Sequence, residues 1–227
     1  MIKLYRLDYS PFVHKVQRVL DLMGTDYDVV DVPYGDRTEL AELTGGYIQV
    51  PVLSADGEVI TDSRNICKWL VSQPSGRWLV PPDLAGAVWA YADWCDGPFE
   101  DVMFRISTPQ IARRFARLAD RALFVYIKER KYGTGCVAQW EREHDSLVEK
   151  AADLVQPSVE TLRSEPFVFG AEPTLADAAL FGQFAMLRTA DPALPAKVSK
   201  AIVPWMQRLE QWRRPGAAAE RAARRGG

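Results

Sequence analysis

The chain has 227 residues, 48% of them hydrophobic and 26% charged, and its formal net charge is −2. This composition is ordinary for a soluble globular protein, argues against a disordered body, and leaves room for two cooperating domains. No segment reaches the roughly 18 uninterrupted apolar residues of a membrane helix, and Met1-Ile2-Lys3 leads into a predicted strand rather than a signal peptide, so we expect a cytoplasmic protein without a membrane partner.

The first 74 residues predict alternating strands and helices. Strands are indicated by alternation of apolar and polar residues, and helices by apolar residues at helical spacing. Gly24 ends the first helix, and Asp62 and Ser63 begin the last one. The predicted elements are a strand at 2–7, a helix at 11–23, a strand at 27–32, a helix at 38–43, a hairpin at 50–60 and a helix at 62–73.

A proline stands at the start of this hairpin, in Val50-Pro51-Val52-Leu53. Because proline has no N–H for a sheet ladder, it marks a strand start or a strand edge. The sequence leaves the Val50–Pro51 bond open between trans and cis. A cis bond would point the N–H and C=O of Val50 outward, where they can pair with a bound peptide.

After a proline-rich, linker-like segment, the chain predicts only helices. Gly97-Pro98 falls inside the first of them and is expected to kink it. Thr174 and Asp177 form a variant of the capping box, which predicts the start of a buried helix. The expected helices lie at 84–106, 109–129, 139–162, 175–187 and 200–212.

The spacing of the cysteines argues against a metal site, and the composition of the C-terminal segment argues against a nucleic-acid site. Cys67, Cys95 and Cys136 have neither CxxC nor Cys/His spacing, so we expect buried free thiols and no metal. Arginines crowd the C-terminal end, and such a segment can bind nucleic acid. It has no apolar face to dock, so we instead expect a basic, disordered tail at 214–227 and no nucleic-acid partner.

Four motifs, in this order, resemble the landmarks of the cytosolic glutathione transferase superfamily. They are Tyr9-Ser10-Pro11-Phe12, Val50-Pro51-Val52-Leu53, Asp62-Ser63-Arg64-Asn65-Ile66 and Pro173-Thr174-Leu175-Ala176-Asp177-Ala178. The resemblance implies a thioredoxin-like α/β domain at 1–74, a linker at 75–83 and an all-α domain at 84–213. It also implies a homodimer that binds glutathione and a small hydrophobic electrophile.

The resemblance implies a role for Ser10 in activating the thiol of glutathione. Serine-type members of the family place a hydroxyl at this position, where it donates a hydrogen bond to the glutathione sulfur. Pro11 puts that hydroxyl at a helix N-terminus, which suits a thiolate. Tyr9 is the alternative, as in tyrosine-type members, and Tyr5 is a more distant one; without the family, Ser10 is only a helix cap.

The remaining motifs correspond to the two other parts of bound glutathione. By resemblance, Val50 offers main-chain hydrogen bonds to the cysteinyl part, and Pro51 in cis holds that main chain outward. Asp62 and Ser63 correspond to the pair that binds the γ-glutamyl end. The family more often has Glu or Gln where this chain has Asp62, which is one methylene shorter.

Aromatic and apolar side chains are the candidates for an electrophile pocket beside the sulfur. Five recur at about helical spacing on the kinked helix, and one follows the first strand; the alternative is that they form core at the domain interface. The candidates are Phe12, Tyr91, Trp94, Cys95, Phe99 and Met103.

The implied function is a glutathione transferase in which the enzyme-bound thiolate attacks a small hydrophobic electrophile. A glutathione-dependent isomerase, peroxidase or dehalogenase would use the same N-terminal half. A non-catalytic glutathione-binding or scaffold protein is the alternative of another class. Glutaredoxin-like chemistry is disfavoured, because the Ser10 hydroxyl cannot form a mixed disulfide.

Overall fold

The computed structural model describes residues 1–214, so the expected disordered tail lies outside the described residues except for its first residue. The N-terminal part has the predicted order of elements. They are β1 (Ile2–Arg6), α1 (Pro11–Met23), β2 (Tyr27–Asp31), α2 (Thr38–Thr44), β3 (Val52–Ala55), β4 (Glu58–Thr61) and α3 (Ser63–Ser72).

The four strands form one mixed sheet in the order β2-β1-β3-β4. β1 and β2 are parallel, whereas β3 is antiparallel to both β1 and β4. Leu4 and Leu53 are opposite each other in adjacent strands and are fully buried. α1 begins at Pro11 and ends at Gly24, which has the left-handed conformation (φ 66°) that favours glycine. The thioredoxin-like α/β prediction is confirmed.

The C-terminal part is helical, as predicted. Its helices are α4 (Ala85–Trp94), α5 (Glu100–Arg114), α6 (Leu118–Tyr132), α7 (Cys136–Arg142), α8 (His144–Ser164), α9 (Leu175–Ala190), α10 (Leu194–Val198) and α11 (Ile202–Gln211). A π-helical turn, Cys95–Phe99, joins α4 to α5 and contains Gly97 and Pro98, where the sequence predicts a kink.

Two of the predicted helices have wrong boundaries, and one short helix was not predicted. Pro109 lies inside α5 instead of opening the next helix, and the chain turns only at Phe115, whose ring packs between Tyr34 and Phe124. The predicted helix at 139–162 is divided at Glu143, whose ψ of 7° is not helical. The short helix α10 has no counterpart among the predictions.

The two parts of the molecule pack together through α1 and α9. Every residue from 175 to 187 of α9 is buried, so this helix lies at the centre of the core. Among residues 1–214, no helix combines the length and apolar character needed to cross a membrane.

Candidate functional site

The ends of three strands meet at one edge of the sheet. Tyr5 of β1 is opposite Val52 of β3, and Val52 is opposite Thr61 of β4. The end of β1, the start of β3 and the end of β4 are therefore neighbours. The segments that carry Ser10, Val50 and Asp62 leave the sheet from this same edge.

Ser10 is the N-cap of α1. Its Oγ accepts a hydrogen bond from the N–H of Val13 (3.4 Å), and its own N–H donates to the carbonyl of Leu7 (3.1 Å). The hydroxyl hydrogen of Ser10 has no acceptor among the described residues, so it is free to donate to a ligand. No acidic residue lies in the first turn of α1 to oppose an anion there.

Tyr9, the alternative to Ser10, packs its ring edge-on against Phe115 and Phe124, with ring centroids 6.0 and 5.9 Å apart. Its hydroxyl is buried without a hydrogen-bond partner among residues 1–214. Burial raises the pKa of Tyr9 above its ordinary value, so the phenol stays protonated.

The Val50–Pro51 peptide bond is cis. β3 begins only at Val52, so the main chain of Val50 lies outside the sheet ladder. Neither its N–H nor its C=O is hydrogen-bonded to another described residue. Both groups are therefore available to an extended ligand.

Asp62 is the N-cap of α3. One oxygen, Oδ1, accepts hydrogen bonds from the N–H groups of Arg64 (2.9 Å) and Asn65 (3.2 Å), which leaves Oδ2 without a partner in the described part of the chain. Its φ of 69° is in the region that non-glycine residues rarely adopt. Such backbone strain is concentrated at functional sites.

Ser63 is bonded to a buried lysine that the sequence analysis did not single out. Lys15 of α1 donates from Nζ to Ser63 Oγ (3.0 Å) and forms an ion pair with Asp96 of the π-helical turn. The Ser63 hydroxyl accepts from Lys15 and remains free to donate. An ammonium group therefore lies beside the position that the resemblance gives to the γ-glutamyl carboxylate.

A cavity of about 260 Å³ runs from Ser10 into the helical part. Its N-terminal wall contains Ser10, Val50, Phe12 and Tyr9, and its far wall is formed by α5 and α6, whereas Asp62 and Ser63 do not line it. The lining residues are Leu7, Tyr9, Ser10, Pro11, Phe12, Tyr34, Arg37, Ile48, Gln49, Val50, Glu100, Phe104, Thr108, Ile111, Phe124, Lys128 and Met186.

Of the six residues proposed for the electrophile pocket, only Phe12 lines this cavity. The other five belong to the core: Cys95, Phe99 and Met103 are fully buried, Trp94 stacks on Phe99, and Tyr91 hydrogen-bonds Ser158. Their helical spacing reflects packing of the kinked helix against its neighbours, which is the arrangement that the alternative of interface core describes.

Three charged residues of the cavity were missed by the sequence analysis. Burial lowers the pKa of Arg37, and its Nη1 is buried without a partner among the described residues. Burial also raises the pKa of Glu100 to about 7 and lowers that of Lys128 to about 8. No local motif marks these residues, because they come from segments distant in the sequence.

The three cysteines are free and buried, as predicted. Burial raises the pKa values of Cys67 and Cys95, so both remain thiols near neutral pH. No group of three or more metal-ligating side chains occurs within residues 1–214.

A thioredoxin-like domain, a helical domain and a cavity lined by both define a two-domain protein of the thioredoxin-fold class. Family models agree with this: the glutathione S-transferase N-terminal domain matches residues 4–78, and the glutathione S-transferase C-terminal domain matches residues 138–214. The chain belongs to the glutathione S-transferase family.

Individual relatives are distant in sequence. A probable glutathione S-transferase from Nicotiana tabacum is 29% identical over 83 residues, which are 36% of this chain and 37% of the tobacco protein. A glutathione transferase structure from Phanerochaete chrysosporium is 17% identical, with a TM-score of 0.73 over 93% of this chain and 97% of that one. Glutaredoxin 2 from Salmonella typhimurium, solved with glutathione, is 18% identical, with a TM-score of 0.67 over 92% and 99%. These structural similarities concern the fold.

Proposed function

We propose that this protein is a glutathione transferase that activates the thiol of glutathione with the hydroxyl of Ser10. The observation that supports this most directly is the position of Ser10, which caps α1, has a free hydroxyl hydrogen and lines the cavity. A thiolate placed there would accept the hydroxyl hydrogen bond at the positive end of a helix.

The energetics are sufficient for thiol activation. Lowering the pKa of the thiol from about 8.5 to about 6.5 requires about 2.7 kcal/mol of preferential stabilisation of the thiolate. A hydrogen bond to a charged group contributes about 1.5–3 kcal/mol, and a helix N-terminus contributes about 0.3–1 kcal/mol. Ser10 and the N-terminus of α1 together can therefore supply the shift.

The other parts of glutathione fit the same edge of the sheet. The free N–H and C=O of Val50, beside Pro51, are suited to pair with the cysteinyl main chain. The Ser63 hydroxyl, with Lys15 beside it, is suited to the γ-glutamyl carboxylate, and Asp62 Oδ2 to the ammonium group. A second substrate would then bind in the cavity against the wall formed by α5 and α6, which holds the electrophile close to the thiolate.

Other glutathione-dependent functions differ from transfer in the residues that they need or in the result of an assay. Disulfide exchange is disfavoured, because Ser10 has no sulfur and the three cysteines are buried. A glutathione-dependent isomerase, peroxidase or dehalogenase would share the thiolate, and product analysis distinguishes them. A non-catalytic binder would be retained on immobilised glutathione without turnover, whereas a scaffold would not be retained.

The homodimer and the cytoplasmic location also belong to this proposal. Light scattering tests the homodimer, and fractionation of cells tests the location.

A titration of glutathione, read by ultraviolet absorbance of the thiolate across pH, tests binding and activation together. Ser10→Ala is expected to return the thiol pKa toward its ordinary value and to lower kcat/KM on the order of 100-fold, as expected for losing one hydrogen bond to a charged group. Glutathione affinity should fall less than kcat/KM.

Tyr9→Phe is the matched control, because it removes the neighbouring hydroxyl and keeps the ring that packs on Phe115 and Phe124. It should leave the thiol pKa near that of the wild type. If Ser10→Ala keeps full turnover and Tyr9→Phe loses it, thiol activation belongs to Tyr9.

A further inference from the structure

The far wall of the cavity carries an ammonium group that forms no ion pair with a described residue. Lys128 of α6 lines the cavity, and its Nζ lies over the rings of Phe124 (4.4 Å to the centroid) and Phe104 (5.2 Å). No hydrogen bond or ion pair joins Lys128 to another described residue. Ring faces attract a cation without neutralising it, so Lys128 retains its capacity to bind an anionic group.

Glu100 at the start of α5 lines the same cavity and forms no ion pair with Lys128 or with any other described residue. The charged groups that affect it most are Lys131, Asp101, Asp96 and Lys128. Those that affect Lys128 most are Lys131, Glu100 and the Cys136 thiol.

At pH 7 the balance of charge in the wall is positive. Burial raises the pKa of Glu100 to about 7, so this carboxyl is only partly ionised. The pKa of Lys128, which burial lowers to about 8, leaves the ammonium mostly protonated. The Lys128 ammonium lies over apolar rings, and burial removes water from Glu100, so their charges are screened less than at the surface.

We propose that the second substrate of this protein is an aromatic electrophile that carries a carboxylate, and that Lys128 binds that carboxylate while Phe104, which lines the same cavity, contacts the ring. This inference rests on the proposed transferase function and names the class of its second substrate. A purely apolar electrophile would cover the partly buried Lys128 ammonium without supplying an anion, which is costly.

A suitable test reaction is substitution on para-chloro-meta-nitrobenzoate. The thiolate sulfur of glutathione forms a bond to the ring carbon that bears chlorine, the carbon–chlorine bond breaks, and chloride leaves with its electron pair. The thiol proton has already passed to solvent when the thiolate formed. The neutral comparison is para-chloro-meta-nitrobenzamide, which has the same ring and the same leaving group.

The measured quantity is the ratio of kcat/KM for the benzoate to kcat/KM for the benzamide. Lys128→Met keeps most of the side-chain length and is expected to lower this ratio about tenfold or more, as for loss of a charge-assisted hydrogen bond. Lys128→Arg should restore most of it. Glu100→Gln should raise the ratio, because it removes a negative charge from the same wall.

Arg121→Met is the matched control, since it removes a positive charge from the same helix at an exposed position outside the cavity lining. Its ratio should equal that of the wild type. An equal fall for both substrates in Lys128→Met, or the same fall in Arg121→Met, would overturn the inference.

Binding of unreactive analogues separates this inference from the transferase proposal. Calorimetry with para-nitrobenzoate and para-nitrobenzamide requires no turnover, so it decides the matter even if neither chlorinated substrate reacts. Lys128→Met should weaken binding of the nitrobenzoate about tenfold and leave the nitrobenzamide unchanged. If the wild type binds the nitrobenzoate no better than Lys128→Met does, the inference is wrong.

Discussion

Burial changes the ionisation of single side chains in this protein. The carboxyl of Glu100 loses water on folding, which raises its pKa from 4.5 to about 7 against the opposing attraction of Lys131 and Lys128. Loss of water also lowers the pKa of His14 from 6.5 to about 4, with help from the positive charges of Arg188 and Arg6. Each shift makes the stability of the fold depend on pH.

Glu100→Gln is expected to stabilise the protein at pH 8 and to have little effect near pH 4.5. The folded carboxyl has the higher pKa, so the folded state holds more protons between pH 4.5 and about 7, and wild-type stability falls as pH rises through that window. Glutamine carries no charge and avoids this loss, which we expect to be on the order of 2 kcal/mol. Urea unfolding at both pH values measures it.

Glu149→Gln provides the control for this experiment, because Glu149 is an exposed carboxylate on α8. Its free energy of unfolding should stay within about 0.5 kcal/mol of the wild type at both pH values. If the free energy of unfolding depends on pH in the same way for the wild type and Glu100→Gln, folding does not raise the pKa of this carboxyl.

Single residues differ in how far the sequence reveals them. Ser10 and Pro51 belong to short local patterns, a helix start and a strand start, so their places in the chain are readable without a structure. Lys15 and Lys128 carry no such pattern. Their environment depends on contacts with Asp96 and Phe104, which folding brings near from other elements.

At the scale of elements, the start of α9 is confirmed in detail. Thr174 Oγ1 accepts from the N–H of Ala176, and Asp177 completes the capping box by accepting from the N–H of Thr174. The same carboxylate also accepts from the N–H of Val168 (2.9 Å) and from Trp205 Nε1 (3.2 Å). One buried side chain therefore joins α9, the preceding loop and α11.

Asp177→Asn should destabilise the protein by at least about 3 kcal/mol. The two carboxylate oxygens of Asp177 accept hydrogen bonds from several buried donors, whereas an amide has only one acceptor oxygen. Burial raises the pKa of Asp177 to about 6, so the carboxyl is ionised at pH 7.5, where unfolding in urea should be compared. Thr174→Ser is the matched control, since it keeps the capping oxygen. Equal midpoints for the wild type and Asp177→Asn would contradict this account of the contacts.

Helix ends were predicted less well than helix existence, for a physical reason. Pro109 signals a break locally, but tertiary packing holds it in the interior of α5, where it is buried. The actual turn at Phe115 depends on rings from Tyr34 and Phe124, which no local pattern reveals. Helix boundaries are predictable from the sequence where a capping residue determines them, as at Thr174. They are not predictable where tertiary packing determines them, as at Phe115.

At the scale of the whole molecule, the two domains are joined where α1 crosses α9. Gly182 of α9 lies directly against the start of α1: a Cβ there would overlap the carbonyl oxygen of Pro11 and approach the N of Lys15 to 3.0 Å. These are main-chain atoms, so they cannot move aside as a flexible side chain can. The same turn of α1 carries Ser10 at its N-cap, which links the packing of the domains to the candidate site.

Gly182→Ala is therefore expected to destabilise the protein by about 1–3 kcal/mol, even though alanine is the better helix former by about 1 kcal/mol. Because the clash pushes on the first turn of α1, kcat/KM should also fall, and the thiol pKa of bound glutathione should rise.

Gly86→Ala is the matched control: Gly86 lies in α4, and a Cβ there meets nothing within 4 Å. Urea unfolding and the thiolate titration should show Gly86→Ala at least as stable as the wild type and unchanged in activation. If Gly182→Ala behaves like Gly86→Ala in both measurements, the crossing of α1 and α9 does not position Ser10.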